Sequence, residues 1–366
     1  MIVPSVRQAL GSALLLIVST GLALAVAEYV LRAQRAEVES SDDMDPGLLR
    51  YDANLGWTLK PLWRGRHRHH DFDVGYSTGI DAWRHTPAAD RKLPGRDVVW
   101  VGDSFTFGLG VNDGDTFVER INASQAAVRH VNAGIPGVST DQEMLLIERR
   151  VLPMNPAEVV LVVYLANDLF DNRLPFPLQA DNAKPYFTLT AEGVLEARNI
   201  PVPRSRKPAD GSQPVLADFV LGADAARAVG WLDEFEIARR LGWAAPEPAG
   251  WEAGMAARHE DELRLFRALL RRIQRGVAEA GAGFSVYLLP SRRAIEAPTD
   301  TMARTQAHLA ARIREFGDAD GIEVTDLTPA LRAANGRVDG FLYHPNEGHL
   351  TPTGHRVVAE AILAGR

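Results

Sequence analysis

Short apolar runs alternate with longer amphipathic segments through the central and C-terminal parts of the chain. Each run has the length of a β-strand, and the one at 158–165 is almost wholly apolar, which is typical of a central parallel strand covered on both faces. Strands are predicted at 97–101, 128–132, 158–165, 284–289 and 322–325. Because helical segments separate them, the pattern predicts an α/β fold, a three-layer α/β/α sandwich around a five-stranded parallel sheet.

The amphipathic segments have the helical spacing of apolar positions. One of them begins at Ser139 or Thr140, and Glu143 stands at the spacing of a capping box with Thr140. The predicted helices span 116–125, 139–151, about 258–280, a stretch between 289 and 322, and 353–364.

The alternation stops between about 174 and 258, where prolines are frequent, so this stretch is predicted to be an inserted cap region. Within it, residues 184–203 are predicted to form a hairpin that turns at 191–193. The three tryptophans that follow are predicted to pack among helices, with sugar stacking as the alternative. They are Trp231, Trp243 and Trp251.

The N-terminus carries the longest apolar run, 19 consecutive uncharged residues from Ala9 to Ala27. As a helix this run spans about 29 Å, close to the hydrocarbon thickness of a bilayer. A single-pass transmembrane anchor is predicted, with a signal peptide cleaved after Ala27 as the alternative. Both place the body of the chain outside the cytoplasm, periplasmic for an inner-membrane anchor. The predicted divisions are an anchor or signal at 1–35, a linker at 36–50 and a domain at 51–366.

Composition narrows the chemistry of this domain. The 366 residues include no cysteine, which excludes disulfides, thiolate metal sites and cysteine nucleophiles. The net charge of −7 argues against a duplex nucleic-acid binder, which normally presents a basic stripe. No nucleic-acid partner is therefore predicted.

Polar residues with complementary chemistry follow the predicted strands. Ser104 comes just after the first strand, Gly134 after the second and Asn167 after the third, and His349 precedes the final helix. Ligands of open α/β sheets bind at the carboxyl ends of the strands. A hydroxyl nucleophile, a general base and hydrogen-bond donors are therefore predicted to converge there, the set that acyl transfer requires.

At these positions the sequence resembles the SGNH hydrolases, the GDSL-like esterases and lipases. Four sequence blocks of that superfamily occur in order, with Gly102-Asp103-Ser104 as the first and Gly134, Asn167-Asp168 and His349 as the others. The motif Leu55-Gly56-Trp57 with Pro61, and the hairpin motif Lys184-Pro-Tyr-Phe187, look like features of its membrane-anchored bacterial members. The resemblance implies the flavodoxin-like SGNH fold.

The resemblance also implies roles for single residues. Ser104 is the expected nucleophile and His349 the base that activates it. The oxyanion hole is expected to consist of the backbone N–H groups of Ser104 and Gly134 and the side-chain amide of Asn167. Asp103 and Asp168 are expected to brace loops.

One position departs from the family pattern. The aspartate that usually stands three residues before the histidine is replaced by Asn346. The prediction places Asn346, or a backbone carbonyl, as the group that orients His349 in a Ser–His dyad. Glu347 or Asp339 as the substitute acid, and a weak or inactive site, are the alternatives.

No metal or other cofactor is predicted. The run His67-Arg68-His69-His70-Asp71 offers imidazoles, but the interleaved arginine repels a cation, so a surface or strand role is expected. His355 is expected to be a solvated helix residue.

The sequence thus predicts an exported serine esterase that cleaves an O-acetyl or lipid-like ester of a cell-envelope molecule, with a glycan or small-molecule ester as its substrate. The first alternative is an O-acyltransferase that passes the acyl group to an envelope or exopolysaccharide glycan. The second is a catalytically silent binding or assembly module, which the presence of Asn346 suggests.

Overall fold

The computed structural model describes residues 6–90, 95–125, 127–176, 183–205 and 251–366. The chain divides into two compact units, Met1–Asp42 with Gln213–Ala249, and Asp43–Ser212 with Gly250–Arg366. In the first unit the described part is helix α1 (Val6–Ser40). No helix in the described part of the chain is both long enough and apolar enough to cross a membrane, so the structure lends the transmembrane prediction no support.

The second unit contains an α/β core and several short antiparallel strands. Its strands are β1 (Asp43–Met44), β2 (Leu49–Asp52), β3 (Gly56–Leu59), β4 (Arg64–His69), β5 (Phe72–Ser77), β6 (Val98–Gly102), β7 (His130–Gly134), β8 (Glu158–Tyr164), β9 (Tyr186–Leu189), β10 (Leu195–Arg198), β11 (Gly283–Leu289) and β12 (Glu323–Asp326). Its helices are α2 (Ser104–Phe107), α3 (Phe117–Ser124), α4 (Thr140–Leu146), α5 (Asp168–Asp171), α6 (Trp251–Glu279), α7 (Arg292–Glu296), α8 (Thr301–Asp320), α9 (Thr328–Ala334) and α10 (Pro352–Gly365).

Five of these strands form one parallel sheet in the order β12-β11-β8-β6-β7. This is the flavodoxin-like order, in which the connection reverses direction between β6 and β8. The prediction of an α/β fold with a five-stranded parallel sheet is confirmed. The reversal places the residues that follow β6 and β8 side by side at the carboxyl edge.

Alternation along the strands builds a core on each face of the sheet, because successive side chains point to opposite faces. In β6, Val99 and Val101 join a cluster with residues of α4, α6 and α8, whereas Val98 and Trp100 join a cluster with residues of α3 and α10. Each apolar cluster joins one face of the sheet to a layer of helices, which gives three layers in all.

Strands β2–β5 form two antiparallel pairs, β2 with β3 and β4 with β5. Leu48, Leu55 and Leu59 belong to one of the two core clusters, and the indole of Trp57 donates to the carbonyl of Pro136 at 2.9 Å. The segment before the regular alternation is therefore attached to the loop that follows β7.

Helix α4 begins after Ser139, one of the two predicted caps, but the predicted capping box is absent. Ser139 is the N-cap and makes no side-chain capping bond, because its hydroxyl donates to Asp141 Oδ1 at 2.9 Å. Thr140 is then the first helical residue, so the predicted capping box does not form. Beyond Leu146 the chain continues as one π-helical segment, Ile147–Val151.

The hairpin predicted at 184–203 is present as the antiparallel pair β9–β10, which turns between Leu189 and Leu195. The remainder of the predicted cap from 206 to 250 lies outside the described residues, and Trp231 and Trp243 lie outside with it, as does the side chain of Trp251.

Candidate active site

The nucleophile is presented by a tight turn between β6 and α2. Asp103 is the N-cap of α2, and its carboxylate accepts the N–H of Phe105 at 2.9 Å. Gly108 ends the helix with a φ of +82°, a left-handed conformation that glycine adopts without strain. Ser104 is therefore the first helical residue, fixed by a cap on one side and a turn on the other.

Ser104, His349 and Glu347 form a continuous hydrogen-bonded chain. The Ser104 hydroxyl lies 2.6 Å from His349 Nε2, and His349 Nδ1 lies 2.5 Å from Glu347 Oε1. The second oxygen of Glu347 accepts the backbone N–H of His349 at 2.9 Å. This is the arrangement in which a carboxylate fixes the tautomer of a histidine that removes a proton from serine.

The environment keeps this carboxylate charged. Burial raises the pKa of Glu347, but the hydrogen bond and the charge of His349 outweigh that effect and lower it overall. Phe105 packs against the imidazole with ring centroids 4.4 Å apart, and Tyr164 stacks on Phe105 at 3.9 Å. The imidazole is thus held by a hydrogen bond to a carboxylate at one edge and by an aromatic ring at its face.

Asn346 does not take the position predicted for it, because its side chain turns away from His349. Its amide donates to Asp71 Oδ1 at 2.6 Å. The reason lies in the backbone: Gly348 has a φ of +94°, and this turn brings the residue two positions before the histidine, not three, to the ring. The acid is therefore Glu347, one of the alternatives that the sequence left open.

The oxyanion donors are placed only in part as predicted. Within the described residues no acceptor takes the N–H of Ser104. The N–H of Gly134, in contrast, is buried and donates to Asn132 Oδ1 at 3.0 Å, so it is already used. Gly137, three residues further on, is partly exposed, has a φ of +77°, and has no acceptor for its N–H in the described part of the chain. In this loop the N–H of Gly134 is thus occupied, whereas the N–H of Gly137 is left for another acceptor.

Asn167 lies just after β8, as predicted. One N–H of its amide donates to Asp171 Oδ2 at 2.8 Å, which leaves the second N–H for a substrate oxygen. Asp168 begins α5, and its carboxylate accepts the N–H of Tyr164 at 2.7 Å, which is the bracing role expected of it. Asp168 thus ties the start of α5 to the end of β8 and fixes the backbone at Asn167.

A lysine at the start of the inserted hairpin supports the segment that carries Asn167 and Asp171. Lys184 is 1% exposed, and its ammonium group lies 2.5 Å from Asp141 Oδ2 and 2.8 Å from the carbonyl of Asp171. Because Asp171 also holds Asn167, a lysine of the insertion contributes to the rigidity of an expected oxyanion donor. The motif Lys184-Pro-Tyr-Phe187 is recognisable in the sequence, but the sequence does not indicate that Lys184 contacts Asp141 and Asp171.

Gly134 has a packing role instead. A Cβ atom at this position would lie 2.2 Å from the backbone nitrogen of Phe107 and 2.6 Å from the carbonyl carbon of Thr106. Gly134→Ala is therefore expected to destabilise the protein by about 1–3 kcal/mol, because backbone and not a flexible side chain must move. Gly114→Ala is the matched control, since nothing lies within 4 Å of its Cβ position. Urea unfolding of both variants measures the difference, and equal stabilities would contradict this account.

Asp103 gives the folded protein a pH dependence. Burial raises the pKa of Asp103 from 3.8 to about 6, against the hydrogen bond from Phe105 and the charge of His349. An acid with a raised folded pKa contributes stability that is complete below 3.8 and is lost as the pH rises through about 6. Asp103→Asn removes this loss, while its side-chain oxygen still accepts from Phe105.

The gain in unfolding free energy from Asp103→Asn is thus expected to be larger at pH 7.5 than at pH 4.5, by about 1–2 kcal/mol. Denaturant titrations of the variant and the wild type at both pH values measure it. Asp73→Asn, at an exposed ion pair with Arg66, is the control. A gain that is the same at both pH values would contradict the assignment.

The structure also places the other histidines considered in the sequence. The segment His67–Asp71 forms the end of the β4–β5 hairpin, and no group of three potential ligands within the described residues is arranged to hold a metal ion. His355 is not solvated but 0% exposed, because α10 packs it against α3, where its Nδ1 accepts the N–H of Phe117 at 3.1 Å. Burial lowers the pKa of His355 well below its usual value.

The fold and the Ser104–His349–Glu347 chain define an SGNH-type serine hydrolase. The family model of the GDSL-like lipase/acylhydrolase family matches residues 100–357, so the chain belongs to that family.

Among curated proteins none matches the chain. Solved structures with a similar fold include the acetyl xylan esterase AlAXEase, with 15% identity over 74% of this chain and 98% of that one and a TM-score of 0.42. Axe2, an acetylxylan esterase from Geobacillus stearothermophilus, has 13% identity over 74% and 94% with a TM-score of 0.40. LAE5, an alpha/beta hydrolase enzyme from the metagenome of Lake Arreo, Spain, has 14% identity over 75% and 95% with a TM-score of 0.42.

Proposed function

We propose that this protein is an exported esterase that removes an acyl group, an O-acetyl or lipid-like ester, from a cell-envelope molecule. The observation that carries the catalytic part of the proposal is the hydrogen-bonded chain from the Ser104 hydroxyl through His349 to Glu347. It stands at the carboxyl edge of the sheet, with the Ser104 and Gly137 N–H groups and the Asn167 amide as donors.

The acylation step follows from this geometry. His349 Nε2 takes the proton of the Ser104 hydroxyl as the oxygen attacks the ester carbonyl carbon, and the carbonyl electron pair moves onto its oxygen. The N–H donors stabilise this oxyanion, and one such donor is typically worth about 10²–10³ in turnover. The tetrahedral species collapses, the bond to the alkoxy group breaks, and His349 returns the proton to the leaving alcohol.

Deacylation repeats these chemical steps with water as the nucleophile. His349 takes a proton from water, the hydroxide oxygen attacks the acyl carbon, and the carboxylic acid leaves as the proton returns to Ser104. Glu347 stays ionised throughout and stabilises the imidazolium formed in each half. If a sugar hydroxyl takes the place of water, the same steps give an O-acyltransferase.

The envelope location is the second part of the proposal. Residues 9–27 are uncharged and mostly apolar, and such a run at the N-terminus directs a chain out of the cytoplasm as an anchor or as a signal peptide. We place the protein in the inner membrane with its catalytic domain in the periplasm. Fractionation of cells and N-terminal sequencing of the mature protein test this. A cytoplasmic product overturns export, and a chain beginning at Glu28 replaces the anchor with a secreted form.

Activity is tested with the full-length protein in detergent and a fluorophosphonate probe, which labels an activated serine. Wild-type protein is expected to be labelled, and Ser104→Ala is not. Acetylated glycans and long-chain lipid esters are then supplied in parallel with a sugar acceptor. Release of free acid supports the esterase, whereas acylated acceptor indicates the transferase. Absence of labelling supports the silent binding module and overturns the proposal.

A further inference from the structure

The loop that carries the acid and the base is held by a residue from far away in the sequence. Asp71 stands at the tip of the β4–β5 hairpin, and its Oδ2 accepts the consecutive backbone N–H groups of Asn346 and Glu347 at 2.8 and 2.9 Å. Its Oδ1 accepts the side-chain amide of Asn346 at 2.6 Å. One carboxylate thus takes three N–H groups from the two residues that precede Gly348.

The contacts within the loop itself close its base, and its tip is held from outside by Asp71 and by Arg292, whose guanidinium donates to the carbonyl of Pro345. The N–H of His344 donates to the carbonyl of His349 at 2.8 Å, and the N–H of Gly348 donates to the carbonyl of His344 at 3.0 Å. A β-bridge between Tyr343 and Leu350 lies just outside. None of the bonds within the loop takes the backbone N–H groups of Asn346 and Glu347, which Asp71 accepts.

The Asp71 carboxylate is suited to this task because it is buried and charged. Its side chain is 3% exposed. Burial alone would raise the pKa of Asp71, but the hydrogen bonds from Asn346 and Glu347 outweigh it and lower the pKa. Hydrogen bonds to a charged acceptor are about twice as strong as those between neutral groups. The three hydrogen bonds that Asp71 accepts are therefore maintained at neutral pH.

The hairpin gives Asp71 a rigid base. The backbone N–H of Asp71 donates to His69 Nδ1 at 3.1 Å, and the rings of His69 and Phe72 stack with centroids 5.3 Å apart. Phe72 in turn packs against His344 at 4.9 Å. Further along β5, the hydroxyl of Tyr76 accepts the N–H of Gly110 at 2.8 Å. The hairpin is thus attached both to the loop of the histidine and to the loop that follows Ser104.

Glu347 needs such a fixed backbone more than an aspartate would. Glutamate has one more rotatable bond, so its carboxylate stays in register with the imidazole only when its own Cα is held. We propose that Asp71 is a positioning residue for catalysis, which acts through Glu347 to keep the His349 imidazole aligned with Ser104. This inference rests on the proposed Ser–His–Glu function and adds to it a residue outside the 100–357 span of the family model.

A double-mutant cycle on the full-length protein separates positioning from general support of the fold. Asp71→Ala is expected to lower kcat for a chromogenic acetate ester about 10–100-fold, with KM changed less than about threefold. The midpoint of the acidic limb of kcat/KM is expected to fall as well, because the imidazolium loses a well-placed carboxylate. In a Glu347→Gln background the same replacement is expected to change kcat less than about twofold.

Three further single variants serve as controls for the cycle. Asp73→Asn removes a charge from the same hairpin, at an exposed ion pair with Arg66, and is expected to retain wild-type kcat. Asn346→Ala keeps both backbone bonds to Asp71, so its loss is expected to be less than about threefold. Asp71→Asn serves if Asp71→Ala does not fold, since it keeps one acceptor oxygen and replaces the other with a donor.

A downfield proton resonance gives a readout that does not depend on turnover. The strongly hydrogen-bonded His349 Nδ1 proton is expected in wild type and Asp73→Asn spectra and lost or broadened in Asp71→Ala. If Asp71→Ala keeps its kcat, its pH profile and this resonance, the positioning role is overturned while the proposed function stands. An equal loss in both backgrounds also overturns it. If the wild-type protein has no Ser104-dependent activity, the proposed function is overturned. The effect of Asp71→Ala on the His349 Nδ1 resonance then tests by itself whether Asp71 positions Glu347 against His349.

Discussion

Ser104→Ala is expected to lower kcat for ester hydrolysis by about 10⁶-fold and leave the protein folded. The hydroxyl is the group that forms the acyl intermediate, and removing the nucleophile of a hydrogen-bonded catalytic unit costs about as much as removing the whole unit. The residual rate comes from the oxyanion donors alone, about 10³–10⁴ over water. Ser104 is only partly buried, and its hydroxyl bonds to His349, so the loss of one oxygen opens no apolar cavity.

Initial rates with a chromogenic acetate ester measure this effect, with thermal unfolding as the check on folding. Ser124→Ala is the control, because its exposed hydroxyl donates only to the carbonyl of Arg120 at the end of α3. A Ser104→Ala protein with more than about a hundredth of wild-type turnover would mean that another nucleophile carries the reaction.

Glu347→Gln is expected to lower kcat by about 10⁴-fold with little change in KM. The amide has the shape of the carboxylate but no charge, and its NH₂ group can donate to His349 Nδ1 and hold the imidazole in the tautomer that cannot accept a proton from serine. The 2.5 Å contact between Glu347 and His349 is the interaction that this replacement changes. Kinetics across pH 5–9 measure the loss.

The neighbouring position provides the contrast. Asn346→Asp would restore the residue that the family usually places three before the histidine, yet it is expected to reduce activity. The new carboxylate would face Asp71 in place of an amide that now donates to it at 2.6 Å. An increase in turnover for Asn346→Asp, or wild-type turnover for Glu347→Gln, would contradict the assignment of Glu347 as the acid.

The local pattern of apolar and polar residues was sufficient to predict the strands of the sheet, but not the hydrogen-bond partners at the site. Strand β8 was predicted within one residue because seven apolar or nearly apolar positions in a row have few alternatives. The start of α4 was less determined, because Ser139 and Thr140 are both good N-caps, and the choice depends on the bond from Ser139 to Asp141.

The errors at the site share one physical cause, which is that hydrogen-bond partners are chosen by tertiary contacts. Gly134 was predicted as a donor, and only the bond from its N–H to Asn132 Oδ1 shows that this N–H is already used. His355 was expected on a solvated helix face, but its partner Phe117 lies 238 positions earlier. Such partners leave no local signal.

The sequence by itself determined the parallel sheet, the serine and histidine at its carboxyl edge and the loop positions of the donors, because strand periodicity and the chain order of motifs are local properties. Only the tertiary structure decided which acid serves His349. The left-handed turn at Gly348 and the hydrogen bonds that Asp71, 275 positions before Asn346, accepts from the loop place Glu347 against the imidazole and draw Asn346 away from it. A carboxylate position depends on backbone geometry over the whole loop, and that geometry is fixed by a hairpin far away in the chain.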